Sequence, residues 1–115
     1  MKMLPFGFLA LLIGLGPAAA VEKGTVDRGE LLLRKNCSRC HAIGTTGDSL
    51  HPEAPPFRTL SSRYPIDDLS ESLAEGIVSG HPDMPIFVFS PADVEAIIDY
   101  LKSIQEKPAP QQPAQ

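Results

Sequence analysis

The apolar positions of this chain recur at helical spacing. Val94, Ile97, Ile98, Leu101 and Ile104 step by three and four residues, which puts them on one face of a 3.6-residue helix. Ser90-Pro91-Ala92-Asp93 supplies the start of that helix: a serine at the N-cap, a proline in the first turn and an acidic residue three after the cap. Ile66, Leu69, Leu73 and Ile77 repeat the pattern behind Pro65 and predict a helix over 66–78. Residues 27–36 carry Leu31, Leu32 and Leu33 among charged neighbours, which predicts a helix running directly into Cys37. A shorter helical turn is expected over 57–62. No stretch sustains period-two alternation, so an all-α chain is expected.

The two ends read differently. Lys2 precedes an apolar run from Leu4 to Leu15 that closes in Pro17-Ala18-Ala19-Ala20, the layout of a secretory signal with small residues at the cleavage site. The run is shorter than the ~20 apolar residues of a bilayer crossing, and Gly7, Gly14 and Gly16 interrupt it. Residues 1–20 are therefore expected to be a signal removed near Ala20, and the mature chain to be periplasmic with no stable membrane insertion. Residues 107–115 hold three prolines and no apolar periodicity, and are expected to form a disordered tail. Residues 21–106 suffice for one small domain with a thin core. A cofactor at its centre would add the missing apolar area.

The chemistry concentrates in Cys37-Ser38-Arg39-Cys40-His41. Two thiols three positions apart followed by a histidine form the attachment motif of c-type haem. Each thiol can add to one haem vinyl group, and one helical turn keeps both sulfurs near the ring edge while the imidazole reaches the iron. A dithiol redox pair, half of a zinc site and a structural disulfide use the same C-x-x-C spacing. The export signal fits haem attachment, which is completed outside the inner membrane.

Haem iron takes a second axial ligand, and Met84 is the one methionine beyond residue 3. A lone methionine is commonly a flexible core filler. Gly80-His81-Pro82-Asp83-Met84-Pro85 is instead a polar, proline-braced loop, suited to holding a thioether at a fixed height. His51 and His81 compete as ligands, since a neutral imidazole binds iron at least as well.

With these parts in view, the chain resembles a class I cytochrome c of the small bacterial kind over residues 24–105. The resemblance rests on Cys37-Ser38-Arg39-Cys40-His41, Ala54-Pro55-Pro56-Phe57, the Gly80-x-Pro82-x-Met84-Pro85 loop and Ile97-Ile98-Asp99-Tyr100-Leu101, in that order. It implies three to four helices wrapped around one covalently bound haem c, with the N- and C-terminal helices crossing. Gly29 and Leu33 would meet Ile97 and Tyr100 at that crossing, which gives a reason for a helical glycine that costs roughly 1 kcal/mol against alanine. It also implies that the Pro55 carbonyl accepts the second ring N–H of His41, orienting the ring and strengthening it as a ligand. The chain has no tryptophan, so Arg58, Arg63 or Tyr64 would have to serve the haem propionates.

Charge narrows the partners. Beyond residue 20 there are nine basic and fourteen acidic side chains, which makes nucleic acid a poor partner. Residues 21–63 hold seven basic and five acidic groups, and residues 64–115 hold two and nine. A basic excess near the haem edge, including Arg34, Lys35 and Arg39, would steer the molecule toward an acidic redox protein. The expected function is that of a periplasmic monohaem one-electron carrier, not an enzyme, with His41 and Met84 as iron ligands. The same residues would also serve the small cytochrome subunit of a periplasmic dehydrogenase complex. A haem-based ligand binder or sensor, with Met84 weakly attached, is a further alternative.

Overall fold

A computed structural model of the protein describes residues 18–76 and 83–107. Helix α1 (Ala18–Asn36) is followed by 3-10 turns at Phe57–Ser62 and Ile66–Asp68. The second turn runs into α2 (Leu69–Glu75), and α3 (Pro91–Ile104) closes the domain. Among the described residues there is no strand, as the missing period-two pattern predicts. No described helix is long and apolar enough to cross a membrane.

Two helix boundaries differ from the sequence expectation. Helix α1 already includes Ala18, the first described residue and nine residues before the expected start; Ala18, Ala19 and Ala20 are strong helix formers. It passes through the expected cleavage point, so removal of residues 1–20 would shorten it to residue 21. The helix expected over 66–78 starts as a 3-10 turn and ends at Glu75, where Gly76 adopts φ +102°. A glycine takes that left-handed backbone without the strain a Cβ would bring. Ile77 and Val78 lie outside the described residues.

The frame of the molecule is the packing of α1 on α3, the most extensive contact between its elements. Among the described residues, Leu33 (2 % exposed) and Ile97 (0 %) are the largest fully buried side chains. A Cβ placed on Gly29 would overlap the carbonyl oxygen of Ala96 and press on Cβ of Tyr100. The glycine is what lets the two backbones approach.

Polar contacts then fix the register. Ser90 caps α3 by accepting from Asp93 N–H at 3.3 Å, and Arg28 of α1 donates from Nε to the Asp93 carboxylate at 2.9 Å. Beyond the crossing, buried Tyr100 donates its hydroxyl proton to the Ile43 carbonyl at 2.9 Å, tying α3 to the segment just after His41. At the far end of α3, Gln105 Nε2 donates to the Phe57 carbonyl at 2.8 Å and Gln105 Oε1 accepts from Ser61 N–H at 2.8 Å.

Two outcomes follow from this frame. Gly29→Ala should lower stability by about 1–3 kcal/mol in a urea or thermal melt, because overpacking against a backbone carbonyl outweighs the gain of roughly 1 kcal/mol in helix propensity. An unchanged or raised midpoint would show that the crossing tolerates a methyl. The second concerns acid. Hydrogen bonding from Arg28, and secondarily from Ser90, holds the Asp93 carboxyl below its ordinary range against the opposing effect of desolvation. A depressed carboxyl contributes stability above its unfolded pKa of about 3.9 and loses it as pH falls through the lower folded value. Asp93→Asn should therefore melt earlier than the parent at pH 7, and the gap should close toward pH 3.

Candidate functional site

The C-terminal end of α1 does not fray before the cysteines. Cys37 N–H donates to the Leu33 carbonyl at 2.8 Å and His41 N–H to the Cys37 carbonyl at 2.9 Å, with Cys40 N–H also donating to Cys37 at 3.1 Å. The motif is thus wound as one further turn, which keeps both half-buried thiols and the imidazole within a single turn of chain. The Cys40–Ala42 backbone is gripped from the following loop. His51 N–H donates to Cys40 at 3.1 Å, Phe57 N–H to Ala42 at 2.9 Å, and Ala42 N–H to Ser49 Oγ at 3.0 Å.

His41 is oriented by two neighbours. Its Nδ1 lies 2.8 Å from the Pro55 carbonyl oxygen, which accepts only, so Nδ1 is the donor and in the neutral ring Nε2 carries the lone pair. Buried Phe57 packs on the ring with centroids 4.5 Å apart and planes inclined by 30°. This is the orientation a metal-binding imidazole requires, with its outer nitrogen held by a carbonyl.

Cys37, Cys40 and His41 border a cavity of about 380 Å³ that is also lined by Met84, Pro85 and Phe87. That volume lies within the range of cofactor and ligand sites. Met84 is half-buried and faces the same space as His41. His51 also lines the cavity, but its Nδ1 accepts from Glu53 N–H at 3.2 Å and its Nε2 lies 3.5 Å from Asp83 Oδ2. Nδ1 of His51 is thereby engaged in a hydrogen bond, and Nε2 lies beside a carboxylate. His81, the other competitor, lies outside the described residues.

The thiol environment discriminates among uses of C-x-x-C. Cys37 and Cys40 are not bonded to each other. Burial, with a smaller push from Cys40, raises the Cys37 thiol to about 11, the opposite of the depressed pKa of a redox-active dithiol. A zinc site needs four ligands, and among the described residues no three His, Cys, Asp or Glu side chains converge as a metal-binding group. An imidazole and a thioether bordering one cavity, with two thiols beside the imidazole, are the donor set that covalently attached haem uses. The residues fit that group.

Neither Arg58, Arg63 nor Tyr64 lines the cavity. Arg58 donates to Glu106 Oε1 at 2.9 Å and to the Gly47 carbonyl at 2.7 Å, which holds it against the end of α3, and Arg63 is exposed. Three contacts were not foreseen: the Phe57 ring on His41, the Tyr100 hydroxyl on Ile43, and His51 beside Asp83. Lys35 and Arg39 do line the cavity, as do Glu53 and Asp83, so its rim carries both signs of charge.

Comparison with known proteins places these features in a family. Residues 24–101 match the family profile described as cytochrome c oxidase, cbb3-type, subunit III. The chain is also 32 % identical, over 84 residues, to a cytochrome c-553-like protein of Synechocystis sp., an alignment covering 71 % of each chain. No solved structure gives a significant match.

Phe57→Ala tests the support beneath His41. Removing a buried ring that also packs in the core should cost about 3–5 kcal/mol in a denaturant titration. A loss below about 1 kcal/mol would mean that the ring is not held in the core as described.

Proposed function

The chain belongs to the class I (small bacterial) cytochrome c family, and from that premise we propose that it is a periplasmic monohaem carrier of single electrons. In this reading Cys37 and Cys40 would hold one haem c through thioethers, and His41 and Met84 would ligate its iron. When bound, haem supplies one-electron exchange between ferric and ferrous iron. The chain's own residues supply orientation and shielding. The Pro55 carbonyl keeps the proton on His41 Nδ1, and Phe57 restrains the ring plane. Buried Phe57 and Ile43 would shield the His41 side of the site from water, and a drier site strengthens electrostatic interactions. A soft thioether ligand favours the ferrous state relative to a second imidazole.

The observation that carries the reading is that Cys37, Cys40, His41 and Met84 border one cavity, with His41 oriented by Pro55. The partners are other redox proteins, and a membrane span is not part of the proposal once residues 1–20 are removed. The matching family profile is described as that of an oxidase subunit, which favours a second reading, the small cytochrome subunit of an oxidoreductase complex. Size-exclusion of the protein from its native source separates the two: a stable stoichiometric complex supports the subunit, and a lone small species the free carrier.

The ligand assignment is tested by optical spectra and a pyridine haemochrome assay on the purified protein and on Met84→Leu. The parent should show c-type haem in a low-spin state, and Met84→Leu should lose the low-spin ferric spectrum. A haem-free parent overturns the whole reading. An unchanged Met84→Leu spectrum transfers the ligand role to His51 or His81.

A further inference from the structure

His51 and Asp83 both border the cavity and approach each other there. His51 belongs to the attachment side, since its backbone N–H donates to the Cys40 carbonyl at 3.1 Å. Asp83 directly precedes Met84. Their side chains approach to 3.5 Å between Nε2 and Oδ2. The histidine ring is fixed before it reaches Asp83, because Nδ1 accepts from Glu53 N–H at 3.2 Å. In the neutral ring that leaves the proton on Nε2, the atom that faces the carboxylate. A run of contacts thus connects the Cys40 carbonyl through His51 and Asp83 to Met84.

We propose that His51 is a positioning residue for the distal ligand: by holding Asp83 it restrains Met84 toward the attachment side and sets how readily Met84 yields to a competing ligand. This rests on the haem reading above. The Asp83 side chain is 73 % exposed and that of His51 35 %. Contacts of this kind are weak in water, so the restraint is a few-fold bias on the opening of the Met84 segment, not a condition for folding.

The test is an imidazole titration of the ferric holoprotein, followed by the low-spin spectrum and the long-wavelength ferric band expected of thioether-iron bonding. His51→Phe keeps a ring but removes the donor, and should bind imidazole about three- to five-fold more tightly than the parent. Asp83→Asn should do the same, and the double variant should go no further than either single one. His51→Gln, whose amide N–H can take the place of Nε2–H, should return the parent affinity. That rescue separates a donor contact from a general loss of packing. Unchanged affinity in His51→Phe, failure of the Gln variant to rescue, or full additivity in the double variant would overturn the proposal. Those results with intact haem spectra leave the ligand reading standing, whereas a Met84→Leu protein that keeps the parent spectrum overturns both.

Discussion

The close crossing of α1 and α3 at Gly29 is the constraint on which the rest of the structure depends. A side chain there would collide with the Ala96 carbonyl, and separating the helices would open the contact that buries Leu33 and Ile97. Because Leu33 also accepts the N–H of Cys37, the packed part of α1 continues straight into the attachment turn. From the other side of the crossing, Tyr100 reaches Ile43. The segment holding His41 is therefore fixed at both ends by one helix pair, and the position of the imidazole follows from packing far from it.

This arrangement suits a domain with a thin core. Its buried apolar side chains gather around α3 and the 3-10 turns, while the far side of the attachment turn opens on a cavity bordered by sulfur and nitrogen donors. In the proposed function that space holds the cofactor, which acts as both prosthetic group and core. The protein's contribution is then to place rigid donors around it: His41 by Pro55 and Phe57, and Met84 through the contact of Asp83 with His51.

How much of this could be read from the chain differs from element to element. Helix α3 was legible to the residue, because Ser90, Pro91 and Asp93 mark its start and its stripe has one period. The Gly29 crossing and the Pro55 carbonyl were readable only through resemblance, since neither leaves a local signal. The end of α2 was misplaced although its mark, Gly76, stands in the sequence; the apolar step from Leu73 to Ile77 outweighed it. Arg58 shows a different limit. It contacts Glu106 and the Gly47 carbonyl, brought near by the return of α3, and no pattern along the chain records that pairing. The His51–Asp83 contact was hidden for the same reason, as its two residues lie 32 positions apart.

The central claim is that Cys37 and Cys40 are spent on one covalent cofactor. Intact-mass measurement of the purified protein, followed by thiol alkylation and peptide mapping, tests it most directly. The expected result is a chain beginning near residue 21 and heavier by one haem, with that mass on the peptide spanning Cys37 and Cys40 and neither cysteine alkylated. An unmodified chain with two alkylatable thiols, or with a bond between Cys37 and Cys40, would contradict it.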